Sequence, residues 1–506
     1  MTPVLTLAEL RAVEARAAAR GAPLMERAGA AGAEAAETLA RDMGDELLVV
    51  AGPGNNGGDA WVAAARLIET FHRVTVLDAA GKPPKAQAAR AARERLAARG
   101  AAIVREWPAG MRPALVVDGL LGVGLDRDVD PAFAALIGRI NACGAPVLAI
   151  DVPSGLDAAS GAVRGIAVRA TRTITFIAHK PGLHTGDGLD CRGELVLDDL
   201  GCGDEVVREA HGALLDAPAL RGWLAPRARN SHKGAFGSLA IVGGNRGMVG
   251  AALLAGRAGL LCGAGKVRLG LLTPDPPAVD AEHAELMLGP VDEALAMDVI
   301  VAGPGAGRSP SATSVSAFER SVLPAILASA KPLVLDADAL NALAYNETLR
   351  RALEAGRRAP TILTPHPAEA ARLLGRETAE VQAHRLECAL EIASRLNAHV
   401  VLKGAGSICA FPDGLWSINT TGNPGLASGG TGDVLAGMIG ALLCQGLDAA
   451  RALQYAVCLH GAAADACVAR GVGPIGLTAS EVALEARAVM NRWTIATWSR
   501  DEPTEK

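Results

Sequence analysis

Strand-like apolar runs alternate with alanine-rich helical runs along the whole chain. Parallel strands need a long crossover connection between them, usually a helix, so this alternation is typical of parallel sheets covered by helices. It therefore predicts an α/β fold. The predicted strands form two series: Glu46–Ala51, Val74–Leu77, Ala114–Val117, Pro146–Ile150 and Thr173–Ala178, then Ser238–Val242, Lys266–Leu272, Val299–Ala302, Pro332–Leu335, Thr361–Leu363 and His399–Leu402.

The alternation breaks down between Gly201 and Pro226, where charged residues, glycine and proline collect. A chain of 506 residues is also too long for a single hydrophobic core. We therefore expect two α/β domains, with the boundary near Ala217 and Pro218. Residues 1–216 form the first predicted domain and residues 217–506 the second, larger one.

Composition narrows the possible partners. The hydrophobic fraction is 50%, but alanine carries much of it, and no uninterrupted apolar run approaches the roughly 20 residues that span a bilayer. The net charge of −5 argues against a general nucleic-acid surface. The nine cysteines are scattered, which predicts reduced, mostly buried thiols. With no signal-like apolar segment at the start, we expect a cytoplasmic protein that binds neither membrane nor nucleic acid.

Two glycine clusters near the C-terminus, Gly422–Gly425 and Gly429–Gly432, precede an apolar helical segment that carries Asp433 in its first turn. Free N–H groups at a helix start bind anions, and a carboxylate there would repel a bound phosphate. We interpret Asp433 as a base that takes a hydroxyl proton while the amides hold a transferring phosphoryl group. A plain helix cap is the alternative, and the two adjacent glycine clusters favour the first interpretation.

In the first domain, the strand Glu46–Ala51 runs into a glycine-rich loop that ends at Asp59. Gly52, Gly54 and Gly57 formally satisfy the dinucleotide-binding fingerprint, and Asp78 ends the next strand, where a ribose-binding acid is expected.

That loop also contains features atypical of the fingerprint. A carboxylate such as Asp59 beside a pyrophosphate is unfavourable. The amides of Asn55 and Asn56 can instead donate to phosphate or offer oxygen to a hard cation.

Polar residues follow two further predicted strands of this domain, namely Asp118 after one and Asp151 and Ser154 after the other. Residues at the carboxyl ends of parallel strands converge on one crevice, so these three are expected to meet Asn56 there. Asp-Gly and Ser-Gly are also ordinary turn pairs. The same feature at three strand ends favours a site.

Together these motifs resemble the N-terminal epimerase domain of the bifunctional NAD(P)H-hydrate repair enzymes, over about the first two hundred residues. The resemblance implies a Rossmann-like three-layer αβα sandwich. It also implies a K⁺ ion held by Asn56, Asp118 and Ser154, with Asp151 against the nicotinamide ring. The residues that would bind the hydrated dinucleotide are Asn55, Asn56, Gly57, Gly58, Asp59, Gly122, Val123, Gly124, Leu125, Asp126, Arg127, Asp128 and Asp151.

Epimerisation requires reversible loss of a group or proton and its return from the other face, for which one placed carboxylate and a cationic neighbour suffice. Asp151 is the candidate base. Lys180 is a candidate assistant, although we expect a solvated surface lysine at that position. Ala60 departs from the family pattern, which usually has glycine there.

The second domain is similar to the nucleotide-dependent NAD(P)H-hydrate dehydratases, ribokinase-like αβα sandwiches, from about Pro226 to Val489. Its His232-Lys233-Gly234 segment matches the family, whereas Ala368 replaces a frequent glycine. The resemblance implies Mg²⁺ bound with ADP and Asp433 as the catalytic base. The dinucleotide-binding residues would be Ala251, Gly305, His366 and Asp433, and the nucleotide-binding residues Lys403, Gly404, Ala405, Gly406, Ser407 and Gly432.

The expected activity is metabolite repair: the first domain interconverts the R and S hydrates of NADH and NADPH, and the second dehydrates the S form at the expense of ADP, giving AMP. A homo-oligomer is expected. ADP against ATP stays open, although the resemblance favours ADP. The alternatives are a ribokinase-like small-molecule kinase with an accessory dinucleotide-binding domain, a nicotinamide-dependent dehydrogenase module in the first domain, or a non-catalytic first domain.

Overall fold

The computed structural model describes residues 1–40, 44, 46–71, 73–307 and 316–498. The chain divides into two compact units, one of Thr2–Ala213 and one that begins at Leu214. The sequence placed this boundary between residues 216 and 217.

The N-terminal unit alternates strands and helices as the sequence pattern predicts. Its strands are β1 Pro3–Val4, β2 Glu46–Ala51, β3 Arg73–Asp78, β4 Ala102–Val104, β5 Leu115–Gly119, β6 Val147–Ile150, β7 Arg172–Phe176, β8 Glu194–Asp198 and β9 Gly212–Leu215, which contains the boundary. Its helices are α1 Leu7–Ala19, α2 Leu24–Ala40, α3 Asn55–Leu67, α4 Gln87–Ala98, α5 Pro131–Ala142, α6 Gly188–Cys191 and α7 Gly203–Glu209.

Seven of these strands form a wholly parallel sheet in the order β4-β3-β2-β5-β6-β7-β8. Successive residues of β2 face opposite layers. Leu47 and Val49 pack with residues of α2 and α3, whereas Leu48 and Val50 pack with Ile137 of α5. Burial of both faces explains why the strands read as continuous apolar runs rather than as alternating ones.

The C-terminal unit has the same alternation on a larger scale. Its strands are β10 Ser238–Gly243, β11 Lys266–Leu271, β12 Met287–Gly289, β13 Val299–Ala302, β14 Leu333–Leu335, β15 Thr361–Leu363, β16 His399–Leu402, β17 Ile408–Ala410 and β18 Trp416–Asn419. Its helices are α8 Val249–Leu261, α9 Val291–Ala294, α10 Leu323–Ala328, α11 Asp338–Tyr345, α12 Glu347–Glu354, α13 Pro367–Leu374, α14 Thr378–Ala383, α15 Arg385–Leu396, α16 Thr431–Cys444, α17 Ala449–Ala469 and α18 Ala479–Trp498.

These strands run in the order β18-β17-β16-β15-β14-β13-β10-β11-β12. The seven strands from β16 to β12 are parallel, and β17 and β18 extend the sheet antiparallel. The main core lies between the sheet and helices α8, α16, α17 and α18. The α/β prediction is therefore confirmed, and the antiparallel hairpin is an addition that the sequence pattern did not predict.

Both sheets reverse their strand order once, between β2 and β5 in the first unit and between β10 and β13 in the second. Loops diverge from such a point, which leaves a crevice outside the carboxyl ends of the strands. The topology therefore supplies a binding crevice to each unit.

Among the residues that the structure describes, one helix, α17, is long and apolar enough by length and composition to cross a membrane. However, 72% of its apolar window is buried inside the protein. Core packing accounts for this composition, so the helix is weak support for a membrane span.

Candidate active sites

A cavity of about 690 Å³ lies at the carboxyl edge of the N-terminal sheet. Most of the predicted dinucleotide-binding residues line it, namely Asn55, Asn56, Asp59, Asp151 and the loop from Gly122 to Asp128. Gly57, Gly58, Asp118 and Ser154 do not line it. The last two are buried beside it, with 0% and 1% exposure.

The glycine loop after β2 brings two chain segments into close approach. A Cβ on Gly52 would lie 1.7 Å from the carbonyl oxygen of Leu120, so only glycine fits there. Because Gly52 follows β2 and Leu120 follows β5, this contact joins the two loops at the strand-order reversal. Asp78, the candidate ribose-binding acid, is buried in a turn where it accepts a hydrogen bond from the Gly81 amide.

Asn56, Asp118 and Ser154 meet as the sequence predicts. Asp118 accepts hydrogen bonds from the Ser154 amide at 2.9 Å and the Ser154 hydroxyl at 2.6 Å. Asn56 Nδ2 donates to the Leu121 carbonyl at 2.6 Å, and the Leu121 amide donates to Ser154 Oγ at 2.7 Å. Burial raises the pKa of Asp118, although the bonds from Ser154 oppose that rise.

One atom of this cluster is unsatisfied. Asn56 Oδ1 is buried and has no hydrogen-bond partner among the residues that the structure describes. A buried acceptor without a partner is costly. Together with a carboxylate and a hydroxyl oxygen, it forms the kind of oxygen-rich site that suits a hard cation.

Lys180 is not the solvated surface lysine that the sequence suggested, since its side chain is only 1% exposed. Its Nζ donates to Asp151 Oδ1 at 2.5 Å, to Thr175 Oγ1 at 2.8 Å and to the Phe176 carbonyl at 2.7 Å. A lysine this deeply buried is rare unless it is paired. The surface expectation was wrong because the sequence did not show that the turn after β7 folds inward.

Asp151 occupies an unusual backbone conformation at the end of β6, with φ of 65°. Thr175 Oγ1 and the Phe176 amide also donate to its Oδ1, each at 3.2 Å. All three donors therefore reach the same oxygen, Oδ1, of a residue that lines the cavity.

Helix α1 contributes two charged cavity residues that the sequence analysis missed, Arg11 and Glu14. Burial, followed by the nearby charge of Asp151, raises the pKa of Glu14. The same two causes, followed by Glu14 itself, raise the pKa of Asp59 well above its ordinary value. Helix α1 is far along the chain from every glycine loop. Its sequence contains no motif that would indicate this role.

In the C-terminal unit, Asp433 lies in the first turn of α16, whose N-cap is Gly430 in the left-handed conformation at φ 89°. The cap has no side-chain hydrogen bond. The first-turn amides of a helix lack intrahelical acceptors. A cap without a side chain keeps them available to an anion, as the sequence analysis proposed.

Lys403 connects this helix start to the strand ends. Its Nζ lies 3.1 Å from Asp336 Oδ1 and 4.0 Å from Glu369 Oε2, and a Cβ on Gly432 would lie 3.3 Å from it. Burial alone would lower the pKa of Lys403, but the carboxylates of Asp336 and Glu369 raise it overall. Lys403 is therefore a firmly charged ammonium beside the helix start.

Asp433 sits among carboxylates rather than opposite a single cation. Burial and then the charge of Asp336 raise its pKa to about 7, and Lys403 opposes the rise. Asp338 and Glu369 raise it further. A carboxylate with a pKa near neutrality is suited to accept a proton and release it again.

His366 caps helix α13. Its Nδ1 accepts hydrogen bonds from the amides of Ala368 at 3.1 Å and Glu369 at 3.4 Å, and the Glu369 carboxylate accepts from the His366 amide. Burial and the charge of Lys403 lower the pKa of His366. The ring is thus held neutral, with Nε2 as its donor nitrogen.

Of the other predicted residues, Ala251 and Gly305 follow β10 and β13 at the reversal of the C-terminal sheet, whereas the segment from Gly404 to Ser407 follows β16. Gly305 has φ of 57°, and a Cβ on it would lie 3.1 Å from the Cβ of Ala251. Ser407 Oγ donates to the Gly404 carbonyl at 3.0 Å, which closes the loop after β16. Gly404 lies against the buried Arg385, whose guanidinium would contact a Cβ at that position.

Asp336 is the main residue of this site to which the sequence analysis gave no role. It ends β14 with 1% exposure, and Thr364 donates to it at 2.6 Å. Within the described ranges, no group of three His, Cys, Asp or Glu side chains has metal-binding geometry. A divalent cation here would therefore need ligands from a bound phosphate.

The comparisons with known proteins cover both units. Residues 239–483 match the family model described as NAD(P)H-hydrate dehydratase, and residues 21–182 match the model for the YjeF-related protein N-terminus. The chain is 39% identical over 482 residues to the bifunctional NAD(P)H-hydrate repair enzyme Nnr of Escherichia coli, covering 92% of this chain and 89% of that one. It is 38% identical to the enzyme of the same name from Coxiella burnetii, covering 92% and 94%.

Among solved structures, the chain resembles the ADP/ATP-dependent NAD(P)H-hydrate dehydratase of Bacillus subtilis co-crystallised with ATP/Mg²⁺. That match has 33% identity and a TM-score of 0.47, and it covers 56% of this chain and 98% of the other. The two family models and the long, well-covered relatives agree with each other. The chain belongs to the family of bifunctional NAD(P)H-hydrate repair enzymes.

Proposed function

We propose that this chain repairs hydrated NADH and NADPH by two reactions on separate domains. The N-terminal domain, residues 1–216, epimerises the R and S hydrates, and the C-terminal domain, residues 217–506, dehydrates the S form with ADP. Hydration yields two epimers, and a stereospecific dehydratase consumes only one of them. An epimerase on the same chain supplies the other.

The dehydratase role rests on the position of Asp433 beside the uncapped start of α16. A ring hydroxyl leaves poorly, whereas phosphate leaves well. Asp433 accepts the hydroxyl proton as the terminal phosphoryl group of ADP moves onto the ring oxygen. The amides of Gly430 to Gly432 stabilise the negative charge that develops. The ring nitrogen then expels phosphate, which restores the dihydronicotinamide and leaves AMP.

Lys403 supports this reaction from the strand side. Its ammonium is held by Asp336 and lies next to Gly432. It is placed to neutralise nucleotide phosphate together with the loop residues Gly404 to Ser407. Mg²⁺ carried by the nucleotide would supply charge neutralisation between the phosphates, and the surrounding carboxylates are compatible with a cation there.

On the dinucleotide side, Ala251 and Gly305 present little side-chain bulk, and His366 presents Nε2 as a donor. These three residues and Asp433 are the proposed contacts of the hydrated coenzyme. We propose ADP as the nucleotide, and the absorbance assay described below compares it with ATP.

In the N-terminal domain, the start of α3 from Asn55 to Asp59 and the loop from Gly122 to Asp128 are proposed to bind the hydrate, since Asn55, Asn56, Asp59 and the whole second loop line the cavity. Asp151 is proposed as the base. Asn56, Asp118 and Ser154 would hold K⁺, because the unpartnered Asn56 Oδ1 lies in an oxygen-rich buried cluster. The ion would supply a fixed positive charge close to the bound coenzyme.

Recovery of the dihydronicotinamide absorbance tests the proposal. Purified protein receives the mixed hydrates with ADP, Mg²⁺ and K⁺, and a parallel sample receives ATP. Full recovery supports both activities, and half recovery would contradict the epimerase assignment. No recovery, or release of a stable phosphorylated alcohol, would contradict the dehydratase assignment and favour a kinase.

The expected localisation, oligomeric state and partners are separate from this assay. We propose a cytoplasmic homo-oligomer that works on small molecules without nucleic acid or membrane. Sedimentation analysis of the full chain measures the oligomeric state directly.

A further inference from the structure

The epimerase cavity holds more carboxylates than cations to balance them. Its acidic lining residues are Glu14, Asp59, Asp126, Asp128, Asp130 and Asp151, while its basic lining residues are Arg11, Arg127 and Lys180. Arg127 is 86% exposed and pairs with its neighbour Asp126 at 3.4 Å. Of these three cations, only Lys180 is buried.

The hydrogen-bond donors of Lys180 are all in use, one of them by Asp151. An ammonium group has three N–H donors, and those of Lys180 go to Asp151, Thr175 and the Phe176 carbonyl. None remains for a substrate hydroxyl. Lys180 therefore positions Asp151 and has no N–H donor left to contact a leaving group.

Among the described residues, neither Glu14 nor Asp59 has such an ion-pair partner in the same cavity. Burial and the charge of Asp151 raise the pKa of both carboxyls, and Glu14 adds to the rise at Asp59. Arg11 and Lys180 only partly oppose the rise at Glu14. On its other side, α1 faces α7, where Glu205 and Glu209 are paired with arginines of α1 and lie outside the cavity lining.

The two carboxyls differ in how they are placed. Asp59 belongs to the start of α3, which the proposed function assigns to coenzyme binding, and its pKa rises well above the ordinary value. A group so reluctant to ionise is a poor proton donor in a repeated cycle. Glu14 comes from α1, a separate element, and is less strongly shifted.

We propose that Glu14 is the general acid of the epimerase reaction and acts together with the carboxylate of Asp151. This inference rests on the proposed function of the N-terminal domain. Glu14 gives its proton to the C6 hydroxyl, the C6–O bond breaks, and water leaves with the bonding electron pair. The lone pair of the ring nitrogen forms a double bond to C6.

The return step restores the balance. Water adds to the opposite face of C6 while Asp151 takes one of its protons, and the ring nitrogen regains its lone pair. That proton passes back to Glu14 through solvent in the cavity. No oxidant, reductant or second substrate is consumed, which agrees with an isomerisation.

The test compares Glu14→Gln, Glu14→Asp and the control Glu34→Gln in the full chain. Glu34 is an exposed glutamate of α2. Interconversion of the separated R and S hydrates is followed by chromatography without ADP, so the dehydratase does not contribute. General acid catalysis typically supplies 10²–10⁴-fold, so Glu14→Gln should lose about that factor in kcat with little change in KM, and Glu14→Asp should recover part of it.

The pH profile separates a chemical role from a structural one. Wild-type kcat falls at high pH as Glu14 loses its proton, and that limb should disappear in Glu14→Gln. Epimerisation within about threefold of wild type in Glu14→Gln, or loss of rate with the limb intact, would overturn the proposal. If wild type itself fails to epimerise while still dehydrating the S hydrate, the proposed epimerase function fails instead.

Discussion

Lys403 Nζ lies 3.1 Å from Asp336 Oδ1, at the point where the loop after β16 meets the start of α16. The lysine also lies against Gly432, next to Asp433 in the chain. One ammonium therefore faces both a structural carboxylate and the proposed base. This arrangement sets the proton affinity of Asp433 and leads to the first three predictions.

Replacing Asp433 with asparagine should nearly abolish dehydration, because asparagine cannot accept the hydroxyl proton. Removing one such preorganised element typically costs on the order of 3 kcal/mol, a hundredfold or more in rate. Epimerisation should be unchanged, which serves as the internal control in a chromatographic assay. A mutant that dehydrates the S hydrate as fast as wild type would refute the assignment.

Dehydration should depend on pH around neutrality. Asp433 must be ionised to act as a base, and its pKa is raised to about 7. The value of kcat/KM should therefore fall tenfold per pH unit well below pH 7 and level off above it. A plateau extending down to pH 5 would show that another group limits the reaction.

Replacing Lys403 with methionine should move the low-pH limb of the profile, where kcat/KM falls, to higher pH. Lys403 opposes the rise in the pKa of Asp433, so its loss leaves burial and the carboxylates unopposed. The limb should shift upward, and the KM for ADP should rise as well. Lys331→Met is a matched control, since that lysine donates to the Leu295 carbonyl away from this site. An unshifted limb would contradict the proposed coupling.

Replacing Lys180 with methionine should destabilise the N-terminal unit. Breaking one side of a buried ion pair typically costs about 3–5 kcal/mol because a charge is left uncompensated. Thermal unfolding should therefore shift to lower temperature. In the Lys180→Met, Asp151→Asn double variant the charge is gone, and most of the lost stability should return. Equal losses in the single and double variants would mean that packing rather than charge is responsible.

The Asn56 cluster predicts a cation requirement for epimerisation. Exchanging K⁺ for tetramethylammonium should slow wild-type epimerisation, since that ion is too large for the buried oxygen cluster. In Asn56→Leu the unpartnered oxygen is removed, and the rate should become low and insensitive to K⁺. Wild-type rates that are equal in both salts would argue against the site.

Local patterns predicted the strands that position both sites. The bounds of β2, β13, β15 and β16 agree with the predicted runs. These strands are buried on both faces and end in glycine or polar loops, which gives them clear sequence boundaries. Short strands at the sheet edges, such as β4 and β12, lack that signal and were missed.

The site residues likewise divide into those that local sequence patterns predicted and those that they missed. Asn56, Asp118 and Ser154 were predicted together because each follows a strand end, and parallel strand ends share one edge. Glu14 and the burial of Lys180 depend on how α1 and the turn after β7 pack, and no short motif records that packing. The near-neutral pKa of Asp433 likewise arises from its burial and from the charges of Asp336, Asp338 and Glu369, which lie far away in the sequence.

The backbone conformation of Asp151 is unfavourable for a residue that has a side chain. Glycine adopts a φ of 65° without strain, whereas a non-glycine residue in this region typically costs about 1–2 kcal/mol. A carboxylate persists there despite that cost. Asp151→Gly would relax the backbone but leave the buried Lys180 ammonium without its carboxylate, which typically costs about 3–5 kcal/mol, so the ion pair outweighs the backbone strain and keeps the carboxylate in place.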